Sequence, residues 1–213
     1  MHPLVFREFD RVCRARGAGG DVLEIGAVAA DDTLLCLPSL RDARSKVGVS
    51  LDGPFTHAGN DVLRVDANDM SCFADASFDT VLTNSVLEHD RRFWRTLAEI
   101  ERVARPGALI VIGVPGFLKL AGERVASRAG RLPVVGTLLR RLAPGVLAST
   151  VTLQVHEFPA DYYRFSVQAA RDVFLEDRDE TEIRTLLVPP RILAVGVKRH
   201  PRAPATNDRA RSR

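Results

Sequence analysis

The segment from Phe78 to Gly113 limits the fold more than any other part of the chain. Phe78-Asp79-Thr80-Val81-Leu82-Thr83 has the length and β-branched content of a strand. It stops at a polar cluster, Asn84-Ser85 and then Glu88-His89. Asp90–Ala104 places Phe93, Trp94, Leu97, Ile100, Val103 and Ala104 on one side and charges on the other, which predicts an amphipathic helix. Arg105-Pro106-Gly107 breaks that helix. Ala108–Val114 is then a nearly continuous apolar run, as in a strand covered on both faces. Strand, helix, turn and strand in this order predict parallel pairing through a helical crossover. Ligands in such open sheets bind beyond the carboxyl ends of strands, so Glu88-His89 stands where chemistry is expected.

The flanking sequence extends this pattern. Val5, Phe6, Phe9, Val12 and Cys13 recur at helical spacing over Val5–Arg16, and Gly17-Ala18-Gly19-Gly20 ends that helix. Val22–Gly26, Lys46–Leu51 and Val62–Val65 read as strands, with Thr33–Arg41 a helix or irregular turn. Ser166 is placed to N-cap a helix over Ser166–Glu176. Glu182–Val188 and Arg191–Lys198, joined by Pro189-Pro190, read as a terminal hairpin. Gly116–Thr150 has six Lys/Arg and one acid, broken by Pro133, Gly136 and Pro144-Gly145, and reads as a helical insertion. Residues 200–213, rich in Pro and Arg, read as a disordered basic tail. One domain over residues 1–199, with an insertion at about 116–150, is therefore expected.

Composition excludes several classes. The net charge is only +3, so a whole-domain nucleic-acid footprint is not indicated. Cys13, Cys36 and Cys72 share no CxxC spacing, and neither a disulfide framework nor a metal site is expected of them. No apolar run approaches the ~18 residues of a membrane span. Arg7, Glu8 and Asp10 interrupt any signal-peptide pattern, so the expected compartment is the cytoplasm.

Five constellations are candidates for chemistry. Glu24 ends the first strand, and Gly26-Ala27 permits a tight turn with backbone close to a ligand. Asp52 follows the second strand, where an acid can accept the hydroxyls of a ribose. Asp66-Ala67-Asn68-Asp69 follows the third. His89 follows the fourth, and a histidine, titrating near ~6.5 in isolation, suits removal of a proton from a nucleophile. His156-Glu157-Phe158-Pro159-Ala160-Asp161-Tyr162-Tyr163-Arg164-Phe165-Ser166 is dense in ionisable and aromatic groups. Each also has a plainer reading: a solvated acid at Glu24, simple turns at Asp52 and Asp66, a loop-ordering His89, and, at His156–Ser166, a salt-bridged corner that holds the lid, in which Arg164 can pair Glu157.

In this order, Asp21–Ala30, Lys46–Pro54, Val65–Met70, Phe78–Gly113 and His156–Ser166 resemble the motifs of class I S-adenosylmethionine-dependent methyltransferases, in the Methyltransferase-11-like branch. The resemblance implies a Rossmann-like, doubly wound, mostly parallel seven-stranded α/β sheet with a C-terminal antiparallel hairpin and a helical insertion. It implies S-adenosyl-L-methionine as cofactor, held by Glu24, Gly26, Ala27, Asp52, Asp66, Ala67, Asn68, Asn84 and Ser85. Asp79 would be structural at the strand start. His89, His156 and Tyr162 would be the catalytic candidates, with Glu88-His89 facing the acceptor. The implied reaction is methyl transfer to an oxygen or nitrogen of a small molecule, with no nucleic-acid partner, no integral membrane segment, and compatibility with a homodimer. Val28 and Ala30 stand where the family usually has further glycines. They keep a second reading open, a non-catalytic S-adenosylmethionine- or nucleotide-binding protein on the same fold. A nicotinamide-dependent reductase is disfavoured because no Gly-x-Gly-x-x-Gly follows a strand.

Overall fold

The computed structural model describes residues 1–119, 150–151, 160–187 and 190–201. Helix α1, Pro3–Ala15, starts with proline in its first turn and His2 as N-cap, its side chain accepting from the Leu4 amide. Val5, Phe9, Val12 and Cys13 form its buried stripe. Gly17, in the left-handed region at φ +64, turns the chain out of it. Strands β1 (Asp21–Ile25), β2 (Ser45–Ser50), β3 (Phe55–His57), β4 (Asn60–Arg64) and β5 (Phe78–Asn84) lead to helix α2 (Phe93–Val103) and strand β6 (Ala104–Pro115). Two short strands, β7 (Leu118–Lys119) and β8 (Thr150–Val151), precede the short helix α3 (Val167–Ala169), and β9 (Arg178–Leu186) and β10 (Arg191–Lys198) close the fold.

Among the described residues the main sheet has eight strands in the order β3-β4-β2-β1-β5-β6-β10-β9. Seven of them match the expected topology, and the additional one is the short edge strand β3. β1 pairs in parallel with β2 and β5, β2 with β4, and β5 with β6, whereas β9 and β10 are antiparallel. The chain moves outward from β1 through β2 to β4, then returns to the other side of β1 as β5. That reversal is the topological switch point at which open sheets bind ligands.

Both sheet faces are covered. On one, α1 packs Val5, Phe9, Val12 and Cys13 onto Val22, Leu82, Val111 and Leu193, joined by Leu34 and Leu40 from two 3₁₀ turns and by Leu37, which links those turns. On the other, Ile100 and Val103 of α2 meet Leu23, Ile25, Val81, Ile110 and Ile112. Each fully buried Leu or Ile contributes roughly 1.5–3 kcal/mol through loss of apolar surface to water. β6 is buried from Ala108 to Pro115, as its apolar run predicts.

The crossover from β2 to β4 departs from the usual plan. Parallel neighbours are normally joined by a helix of a dozen residues or more. Here residues 51–59 do it with β3 alone, antiparallel to β4. Gly53 permits this, since a Cβ there would lie 2.7 Å from the Arg64 amide and the Leu63 carbonyl. Such a backbone approach leaves no distinctive period in the sequence, so β3 is not read from it. Ser166 does cap a helix, its hydroxyl accepting from the Ala169 amide, but the helix passes into a π-helical turn over Ala170–Phe174. Lid and tail expectations fall mostly outside the described residues. The insertion leaves and re-enters through the antiparallel pair β7–β8.

At the amino edge of the sheet, Asp79 is structural as expected. Its Oδ2 accepts from the Asp21 amide at 2.8 Å, from Arg44 at 2.9 Å and from Arg105 at 2.7 Å. Arg44, Ser45 and Arg105 in turn hold Asp21 and push its carboxyl well below the usual range. Burial alone would raise Asp79, but the Asp21 amide and Arg105 outweigh it, so it too is lowered. A carboxyl whose folded pKa lies below the unfolded ~3.9 adds stability above that pH and loses it as pH falls through the folded value. The urea midpoint is therefore expected to drop between pH 5 and pH 3, and Arg105→Gln should flatten that drop. A midpoint independent of pH in both proteins would contradict this assignment.

Candidate active site

A cavity of about 920 Å³ opens beyond the carboxyl ends of β1, β2, β4 and β5. Ile25, Gly26 and Val28 form its floor. Val49, Ser50, Leu51 and Asp52 form one side together with Val65, Asp66, Ala67 and Asn68. Ser85, Val86 and His89 to Arg92, with Trp94 and Tyr162, form the other. Sequence reasoning thus brings Gly26, Asp52, Asp66, Ala67, Asn68, Ser85, His89 and Tyr162 into one site.

In the turn after β1, Gly26 lines the cavity, whereas Glu24 and Ala27 lie off its wall. Gly26 adopts φ +83, and a Cβ there would overlap Val86 Cγ2, so glycine is required for packing as well as for the turn. The amides of Gly26 and Ala27 both donate to the Val49 carbonyl, at 2.8 and 3.1 Å. Ala27 is fully buried and off the cavity wall. Glu24 is also off the wall, at 3% exposure. Its carboxylate accepts from Thr33 Oγ1 at 2.7 Å and from the amides of Leu34 and Leu35 at 2.9 Å each. Burial pushes the Glu24 carboxyl up, and those three donors oppose the shift. The residue expected to touch a ligand thus clamps the loop that frames one. Asn84 also lies off the cavity wall. It packs against Gly113 on the α1 side and donates to Ser85 Oγ at 3.2 Å.

The loop after β5 is tightly determined. Ser85 sits in the left-handed region at φ +56, with its amide donating to the Gly113 carbonyl at 2.9 Å. A non-glycine residue there costs of order 1–2 kcal/mol, and such outliers cluster at functional sites. Asp90 accepts from the Arg92 amide, Thr96 Oγ1 and Asn68 Nδ2, all at 2.7 Å, tying the start of α2 to the loop after β4.

The strap 160–165 closes the far wall. Tyr162 and Tyr163 donate their amides to the Glu88 carbonyl, at 2.8 and 3.3 Å, and Tyr163 Oη donates to the Arg91 carbonyl at 3.0 Å. Phe93, Tyr163, Phe165 and Phe174 stack edge to face beneath it. Arg164 forms a two-pronged pair with Asp161. His89 Nδ1 bonds the Ala160 carbonyl. A carbonyl only accepts, so Nδ1 carries the hydrogen and Nε2 is the nitrogen that can take a proton.

Glu88 does not face the cavity. It is 1% exposed behind His89, with Nε2 at 3.8 Å from its Oε1 and no hydrogen-bond donor to either carboxylate oxygen among the described residues. Loss of solvent pushes its carboxyl up to about 6, against the pull of His89, Arg191 and Arg164. His156 lies outside the described residues. Trp94 is the clearest residue that sequence reasoning misplaces. Assigned to the apolar face of α2, it is 55% exposed and lines the cavity. One residue is 100° of helix, so Trp94 points away from the Phe93–Leu97–Ile100 stripe, and stricter use of that angle finds it.

Comparison with known proteins agrees with this geometry. Residues 37–112 match the family model for a methyltransferase domain, Methyltransf_11. An uncharacterized methyltransferase of Mycobacterium marinum is 38% identical over 92 residues, which are 37% of this chain and 36% of that one, so the match spans about a third of either protein. Among solved structures, the 1,6-didemethyltoxoflavin-N1-methyltransferase of Burkholderia thailandensis, with bound 1,6-didemethyltoxoflavin and S-adenosylhomocysteine, superposes with a TM-score of 0.60 at 14% identity, over 93% of this chain and 80% of that one. The N-methyltransferase NodS of Bradyrhizobium japonicum, in complex with S-adenosylhomocysteine, gives 0.57 at 13% identity over 92% and 87%. At such identities these two show a shared fold. Family model, relative and sheet order point the same way: over residues 37–112 the chain is similar to Methyltransf_11 domains, and its fold is shared with S-adenosylhomocysteine-bound methyltransferases.

Proposed function

We propose that the protein transfers a methyl group from S-adenosylmethionine to an oxygen or nitrogen of a small-molecule acceptor. One observation carries this reading: a single cavity at the switch point is lined both by the residues suited to the cofactor and by a histidine whose proton-accepting nitrogen is defined. Its volume suits a ligand of this size. The residues fit an adenosyl group. Asn68 lines the cavity, donates through Nδ2 to Asp90 and Thr96, and leaves a buried Oδ1 without a donor among the described residues. Asp66 and Asn68 would receive the adenine amine, Asp52 the ribose hydroxyls, and Gly26 and Ser85 would flank the methionine portion.

When bound, S-adenosylmethionine supplies an electrophilic methyl on a positively charged sulfur. The chain's own contribution is chiefly alignment in a confined pocket, the larger effect in such reactions. His89, held by Ala160, accepts the acceptor's proton at Nε2. Buried Glu88, 3.8 Å away, opposes the positive charge that this creates. The Burkholderia thailandensis enzyme, whose bound ligand is 1,6-didemethyltoxoflavin, supports a small acceptor.

Calorimetry with S-adenosylhomocysteine tests the proposal. Binding is expected, and Asp66→Ala should weaken it about tenfold, the value of one charge-assisted hydrogen bond. No heat and no thermal shift at millimolar ligand would sink it.

A further inference from the structure

The far wall of the cavity carries a charge that no described residue answers. Arg91 and Arg92 both line it. Their backbones are fixed, since the Arg91 carbonyl accepts from Tyr163 Oη and the Arg92 amide donates to Asp90 Oδ1. Their guanidinium groups have no hydrogen bond or ion pair among the described residues. Asp90, the nearest carboxylate in sequence, is already committed to the Arg92 amide, Thr96 and Asn68. Asp66 on the opposite side accepts from the Asn68 amide. The first turn of α2 contains no acid. Cations just before a helix N-terminus are electrostatically unfavourable, so local stability does not explain two of them here.

Trp94 and Tyr162 line the same cavity, 55% and 51% exposed. Aromatic side chains of this size are normally covered, and leaving both partly in water beside a cavity marks a surface that a ligand covers. Arginine side chains recognise planar anions through paired N–H donors. His89 lines the cavity as well.

Resting on the methyl-transfer reading, we propose that the acceptor is an anionic aromatic compound. Its ring lies against Trp94 and Tyr162, its carboxylate or equivalent anion is held by Arg91 and Arg92, and its nucleophilic hydroxyl or amine faces His89. Basic or uncharged acceptors leave both guanidinium groups unmatched and bind less well.

Calorimetry on the full chain loaded with S-adenosylhomocysteine tests this with three matched phenols: 4-hydroxybenzoate, 4-hydroxybenzamide and tyramine. The benzoate should bind at least about tenfold tighter than the benzamide, and tyramine weakest, as an ion pair of about 1.4 kcal/mol requires. The double variant Arg91→Gln/Arg92→Gln should abolish the preference for the benzoate while melting as the parent does. Trp94→Leu should weaken benzoate and benzamide alike. Equal or tighter binding of benzamide or tyramine, no heat from the benzoate, or an unchanged preference in the arginine variant would each overturn the inference. Carboxylate selectivity without any S-adenosylhomocysteine binding would instead remove the methyl-transfer reading and leave the anion site standing.

Discussion

Replacing Glu24 with Ala is expected to lower the melting temperature by about 10 °C, the largest single effect we anticipate. The Thr33 hydroxyl and the amides of Leu34 and Leu35 would lose their acceptor inside a buried loop. Each orphaned donor costs about 1–3 kcal/mol, and breaking a buried charged network typically costs about 3–5 kcal/mol in all. At roughly 2–4 °C per kcal/mol for a chain of this size, the shift follows. Glu24→Gln keeps one acceptor oxygen and should fall between. The measurement distinguishes two roles for the acid. A residue that touched the cofactor directly would lose ligand affinity at nearly constant melting temperature. A loop clamp loses stability first, and affinity through displacement of Val28 and Gly26. An unchanged melting temperature in Glu24→Ala would refute the clamp.

The second large effect is on catalysis. His89→Gln should reduce the rate of S-adenosylhomocysteine release under saturating acceptor by about 10²–10³-fold, within the range for loss of a general base. Glutamine can still donate to the Ala160 carbonyl, so the strap should stay docked and cofactor affinity should stay within about twofold. The acid limb of the rate profile should flatten in the variant, because the group that must be unprotonated has been removed. A rate within twofold of the parent would show that alignment alone suffices and that His89 only orders the loop.

Much of the fold is legible in the chain because its signals are local. Apolar runs at β1, β5, β6 and β10 are strands buried on both faces, and their continuity survives without tertiary knowledge. α1 and α2 announce themselves by period. β3 was not legible, since a three-residue edge strand beside a glycine-mediated backbone contact has no period to detect.

The site divides along the same line. Asp52, Asp66, Asn68, Ser85 and His89 follow strand ends, and parallel pairing carries all strand ends to one edge. Position along the chain therefore suffices to place their backbones. Which way a side chain turns is a separate question, decided by partners distant in sequence. Glu24 turns inward because three donors nine to eleven residues away converge on it. Glu88 is buried behind His89 because the strap at 160–163 docks on its carbonyl. Trp94 turns out to the cavity because Phe93 takes the core position against Phe165 and Phe174. The chain's own pattern suffices for the order of the longer strands and helices, and hence for the edge at which their carboxyl ends gather, because hydrophobic period and turn residues act locally. Only the tertiary structure decided which carboxylates, rings and guanidinium groups stand at that edge, because burial and hydrogen bonding are settled between segments that the chain keeps far apart.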